Sequence, residues 1–114
     1  MPAVVKRKNI YQTEAVMAFA DAMSAPSRRK YYAALSLLEE DGVLGYPRAE
    51  KVAGHRNLFE IRIITPGNER FFYCYDAGTT IYVVHAFEKR TRKTPSREIA
   101  KAIAIRNNLI GGQP

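Results

Sequence analysis

The 114-residue chain carries 18 Lys and Arg against 11 Asp and Glu, a formal net charge of +7, with 46% apolar and 25% charged residues. That length fits one domain with a real core, and the composition excludes global disorder. Cys74 is the single cysteine, so an internal disulfide and a multi-cysteine metal site are excluded and a reducing compartment is expected. Lys6, Arg7 and Lys8 are followed by no signal-type apolar run, and no stretch reaches membrane-spanning length. The expectation is a cytoplasmic protein without a membrane partner, a single domain over 1–114 whose residues 1–3 and 109–114 are flexible.

A short extended segment opens the chain, roughly Val4 to Tyr11. Thr13 then serves as cap or first-turn residue for a helix with Val16, Met17, Phe19, Ala20 and Met23 at mostly helical spacing. Ser24-Ala25-Pro26-Ser27 should stop it, with Ser27 capping a second helix whose stripe is Tyr31, Leu35 and Leu38 and whose end is marked by Gly42. From Leu58 the period changes. Leu58 to Thr65 alternates, Pro66-Gly67-Asn68 turns, Arg70 to Asp76 is aromatic-rich, Ala77-Gly78-Thr79-Thr80 turns, and Ile81 to Phe87 is β-branched and apolar. This predicts a three-stranded antiparallel meander. A last helix begins around Thr94-Pro95-Ser96-Arg97-Glu98 and carries Ile99, Ala102, Ile103 and Ile105. The fold class is α+β, an N-terminal strand joining the sheet and the helices packed on one sheet face.

Tight hairpins would set Arg62 across from Phe72 and Phe72 across from His85. One face then holds Phe59, Ile61, Ile63, Phe71, Tyr73, Tyr75, Tyr82, Val84 and Ala86 and reads as the core. The other collects Glu60, Arg62, Arg70, Phe72, Cys74 and His85, with Phe87, Lys89 and Arg90 at the strand's end. Between Glu88 and Arg106 seven cations face two acids, so most of the excess charge sits in one segment, which favours polyanions. A solvated helix face is the bland alternative.

Cleavage of RNA by its own 2′-hydroxyl needs a base, cations for the pentacoordinate phosphate, and an acid for the leaving 5′-oxygen. Arg62 and Arg70 suit the phosphate, because a guanidinium fork matches paired oxygens; the alternative is a cross-strand ion pair with Glu60. A carboxylate between arginines should titrate low, so His85 is favoured as acid or base and Glu60 as an orienting or secondary base. Packing inside the strand is the competing role for His85. Lys89, Arg90, Arg92 and Lys93 are candidate RNA contacts, and Phe72 could stack on a base, although an aromatic on a sheet is more often core. His55, in a loop after Gly54, should contact solvent. No metal-ligand cluster, phosphate loop or nucleophile elbow is present, which implies no metal and no cofactor if the chain is an enzyme.

Leu58-Phe59-Glu60-Ile61-Arg62, Arg70-Phe71-Phe72-Tyr73 and His85-Ala86-Phe87-Glu88-Lys89-Arg90-Thr91-Arg92-Lys93-Thr94-Pro95 resemble the RelE/ParE toxin superfamily, specifically its HigB-like, phage-derived branch. That branch reads Glu-Leu-Arg, then Tyr-Arg-hydrophobic-hydrophobic-Tyr, then His-Gly-Phe-x-Lys-Lys-Thr-x-Lys-Thr-Pro before a helix. The resemblance covers about Leu58 to Arg106. It implies a toxin that cleaves messenger RNA on the ribosome until a cognate helix-turn-helix antitoxin covers its groove. It also places Arg62 and Arg70 at phosphate-contacting positions and Lys89 and Arg90 at the basic site after the last strand. The chain departs from the branch where Ala86 replaces glycine and Arg90 replaces the second lysine, and no tyrosine follows Tyr82, where some RelE-type nucleases use one. That departure favours the alternative, a non-catalytic binding module of the same fold such as a ParE-like topoisomerase inhibitor. Steep salt dependence of RNA binding and loss of activity without unfolding in Arg70→Ala are the corresponding expectations.

Overall fold

The computed structural model describes residues 8–110. Strand β1 (Asn9–Gln12) leads into helix α1 (Glu14–Ala22), which Thr13 caps by accepting the Val16 backbone N–H at 3.2 Å. Helix α2 (Ala25–Asp41) is capped by Ser24, three residues before the expected Ser27, with the Ser24 hydroxyl accepting from Ser27 N at 3.3 Å. Pro26 therefore lies inside the first turn and does not break the chain. An N–H is unpartnered there in any helix, so proline costs nothing. Gly42 ends α2 with φ at 80°, the left-handed conformation that closes a helix, and its N–H donates to Leu38 O at 2.8 Å.

The meander follows as β3 (Phe59–Ile63), β4 (Glu69–Tyr75) and β5 (Thr80–Glu88), preceded by a three-residue strand that the sequence pattern leaves as loop, β2 (Ala49–Lys51). The sheet order is β1-β5-β4-β3-β2, with β1 parallel to β5 and the other pairs antiparallel. Of the expected opening strand, residues 4–7 lie outside the described residues. Helix α3 (Ser96–Leu109) closes the fold, so Leu109, expected to be flexible, is still helical.

The helices do not share one sheet face. Val16, Ala20, Tyr31, Ala34, Leu35 and Leu38 of α1 and α2 bury against Ile61, Ile63, Phe71, Tyr73, Ile81 and Val83 on one side. On the other, Ala102 and the half-buried Ile99, Ile103 and Ile105 of α3 meet Leu58, Phe72, Cys74, Val84 and Phe87. Both faces of a sheet this apolar need cover, and one helical hairpin supplies only one.

Two register expectations are also corrected. Arg62 pairs with Arg70 and Glu60 with Phe72, a slip of two residues from the expected register, while Phe72 does pair with His85. An even slip keeps every side chain on its own face, which is why the Glu60, Arg62, Arg70, Phe72, Cys74 and His85 face survives it. A bulge at Val84 then breaks the alternation on β5, since His85 pairs with Phe72 but Val83 with the next residue, Tyr73. Past the bulge Tyr82 and Val84 turn to the α3 side and Ile81 and Val83 take the core positions assigned to them.

Candidate active site

Strand pairing sets Glu60, Phe72 and His85 in one row across β3, β4 and β5, and Arg62, Arg70 and Phe87 in the next. Beyond β5 the chain must leave the sheet before α3 begins. Asn68 holds that exit, accepting Lys89 N at its carbonyl (2.7 Å) and donating from its side chain to Lys89 O (3.0 Å). This fixes Lys89 beside the turn between β3 and β4.

Residues 94–98 then cross over the sheet. Thr94 Oγ1 lies 3.3 Å from Glu60 Oε2, and four residues on Glu98 Oε1 lies 2.6 Å from His85 Nε2. The two groups proposed for proton transfer therefore meet opposite ends of this segment, with Phe72 between them in the sheet, and bond to different partners. Phe72 is 0% exposed, stacked parallel to His85 and Phe87 at 6.3 and 5.6 Å. With no free face it is core, and the base-stacking role suggested by the sequence is not available to it.

Glu60 is the centre of the site. Its side chain is 10% exposed, and Oε1 lies 2.9 Å from Nε of Arg70, itself 3% exposed. Burial pushes the Glu60 carboxyl above its ordinary range, opposed by the nearby Arg70, Lys89, the Thr94 hydroxyl and Arg62. This reverses the expectation of a low-titrating carboxylate: loss of water outweighs four favourable neighbours. Burial likewise lowers the guanidinium of Arg70. Arg70 thus takes the ion-pair alternative, holding Glu60 in place, and offers no surface for a phosphate. Arg62 is half-buried and remains open, as does Lys89.

His85 donates Nε2–H to Glu98, whose carboxyl that hydrogen bond holds below its usual range. The pair ties β5 to the first turn of α3. Glu98 was legible only as a first-turn acid, and nothing in the sequence marks it as the partner of His85. Of the basic cluster, Arg90 pairs with Glu88 at 2.7 Å while largely exposed, and Arg92 and Lys93 are exposed. Arg106 is buried and donates to Arg56 O at 2.6 Å, anchoring α3 and not reaching for a ligand. His55 is half-buried in the turn after β2. Among the described residues no group of three His, Cys, Asp or Glu is placed to hold a metal ion, and no helix is long and apolar enough to cross a membrane.

The family model for phage-derived Gp49-like proteins matches residues 18–107. The chain belongs to the phage-derived Gp49-like family. Its fold is that of RelE. A double-arginine mutant of the toxin RelE from E. coli, in the free state, superposes with a TM-score of 0.64 at 16% identity over 86% of this chain and 96% of that one. The archaeal RelE–RelB complex from Pyrococcus horikoshii gives 0.59 at 18% identity over 76% and 99%. No curated protein sequence matches the chain. The Gp49-like chain thus keeps a RelE architecture while sharing few residues with either solved relative.

Proposed function

We propose that this Gp49-like protein is the toxin of a toxin–antitoxin pair, an endoribonuclease that cleaves messenger RNA on the ribosome by 2′-hydroxyl attack. A helix-turn-helix antitoxin would cover the site. Membership of the family, the RelE fold and the pairing of the archaeal relative with RelB support the reading. The observation that carries it is a buried carboxyl with its titration raised, placed within electrostatic reach of two accessible cations, Arg62 and Lys89. A carboxylate moved toward neutrality is a better base than an ordinary one.

In this scheme Glu60 removes the proton of the 2′-hydroxyl, and Arg62 and Lys89 stabilise the charge gathering on the phosphate. In the same scheme the Lys89 ammonium gives its proton to the leaving 5′-oxygen. Arg70 positions Glu60, and His85 positions the 94–98 crossover through Glu98. Arg90, Arg92 and Lys93 contact the flanking backbone of the RNA.

Induction in bacteria followed by primer extension on a reporter transcript tests the proposal. New 5′ ends should appear with the native chain and vanish with Glu60→Gln, which keeps an acceptor for Arg70, while His85→Asn retains cleavage at the same positions. The burial of Arg70 and the lack of a tyrosine after Tyr82 favour a binding module instead. Growth arrest with intact messages and inhibited DNA supercoiling would decide for that module.

A further inference from the structure

A cleft of about 290 Å³ opens on the opposite flank of β3 from Lys89, between α2 and the segment entering β2. Its walls carry three cations, Lys30, Arg48 and Arg62, and its floor is made by Ala33, Ala34, Ile61 and Ile63. The positions are built, not incidental. Arg62 N donates to Arg48 O at 2.8 Å, which fixes the two arginines side by side just before β2 begins, at the end of its pairing with β3. Lys30 Nζ donates to Thr65 O and Thr65 Oγ1 at 2.6 and 3.0 Å, holding its ammonium at the rim. Among the described residues none of these cations has a carboxylate partner in an ion pair. Tyr46, 75% exposed, stands with its ring centroid 5.8 Å from the Arg62 guanidinium.

We propose that this cleft is a nucleotide subsite, taking one phosphate of a single-stranded RNA on Arg48, Arg62 and Lys30 and its base against the alanine and isoleucine floor. Three cations with no carboxylate in an ion pair select an anion, and a floor of two alanines and two isoleucines admits a flat ring. The volume lies at the small end of ligand pockets, roughly 300 Å³ upward, which fits one nucleotide and little more. The exposed Tyr46 ring adds a stacking surface for the neighbouring base, as aromatic platforms do for single strands. Arg62 borders both sites: it lines the cleft and stands two residues from Glu60 on the same face of β3. The strand would run from Lys89 past Glu60 and over the edge of β3 into the cleft. The inference rests on the RNA-cleaving reading and extends it to where the substrate goes next.

The test uses the full chain and oligoribonucleotides methylated at every 2′-oxygen, which cannot be cleaved. A hexanucleotide should bind Arg48→Gln/Lys30→Gln about tenfold more weakly than the native chain, with a salt slope smaller by about 0.7 for each phosphate that is no longer neutralised. A dinucleotide that spans only the Glu60 site should bind both chains equally. In methyl-detected NMR the hexanucleotide should shift Ala33, Ala34 and Ile63. Arg48→Glu, at an exposed position, gives the same readout should the double variant not fold. Equal hexanucleotide affinity in native and variant chains overturns the cleft and leaves the Glu60 proposal standing. An oligonucleotide that binds neither chain removes both readings. Shifts at Ala33 and Ile63 with a polyglutamate peptide and none with RNA would overturn the subsite and assign the cleft to a protein partner.

Discussion

Replacing Arg70 by methionine separates an electrostatic account of the site from a packing one. Arg70 is 3% exposed and Glu60 10% at their side chains. Removing one partner of a pair this buried costs about 3–5 kcal/mol, because the remaining charge is left without compensation. Methionine keeps most of the aliphatic volume, so the packing loss is the smaller part. Glu60 has an escape that Arg70 lacks, since it can take up a proton. Burial already raises its folded titration above the unfolded value, and Arg70 is the leading group opposing that rise. Between the unfolded and folded values the native state holds more protons than the unfolded state. Stability is therefore fullest below the unfolded carboxyl range and falls as pH rises, by up to about 1.4 kcal/mol per pH unit for one group. Deleting Arg70 moves the folded value higher and carries that decline further into the neutral range. Urea unfolding followed by circular dichroism should show Arg70→Met weaker than the native chain by about 1–2 kcal/mol near pH 5 and by about 3–5 kcal/mol near pH 8. The double variant Glu60→Gln/Arg70→Met should lose the extra slope. Parallel pH profiles for Arg70→Met and the native chain would refute the account. The same geometry alters the expectation for Arg70→Ala, whose lost activity should now come with lost stability.

Phe72→Leu should lower stability by about 1–2 kcal/mol and Phe72→Ala by about 3–5 kcal/mol, with oligonucleotide affinity per folded molecule unchanged; a selective loss of RNA binding in a stable Phe72→Leu would return the ring to a stacking role. Burial pushes the Cys74 thiol to about 11, so a disulfide reagent at neutral pH should label it only as fast as the chain unfolds. Rapid labelling under native conditions would contradict its position in the second core. Glu98 contributes in the opposite pH sense from Glu60, although Glu98→Gln, like Arg70→Met, falls further below the native chain as pH rises. The Glu98 carboxyl is held low by the His85 hydrogen bond, so it contributes stability above the unfolded carboxyl range that is lost as pH falls through its folded value. The variant should be about 1–2 kcal/mol less stable at neutral pH and should converge with the native chain in acid.

The elements that sequence made legible are those with a local cause. Thr13 and Gly42 cap their helices where the spacing places them, and the meander follows from alternation and two turn clusters. What stayed hidden depends on distance through space. A three-residue β2 has too few positions to show a period, and the bulge at Val84 leaves a run of β-branched residues looking regular although it moves Tyr82 and Val84 to the other face. The face bearing Glu60, Arg62, Arg70 and His85 was readable because an error of two in register does not disturb parity. Chemistry within that face was not, because burial sets it. Sequence shows Glu60 between arginines and implies a low titration; it cannot show that the 94–98 crossover and the α3 core strip water from that carboxyl while leaving Arg62 open. The same crossover takes up Glu60 at one end and His85 at the other, two residues that share a row of the sheet yet meet different partners. Under the proposed function, the general base is chosen less by residue type, where imidazole leads, than by which group the chain has dried beside accessible cations.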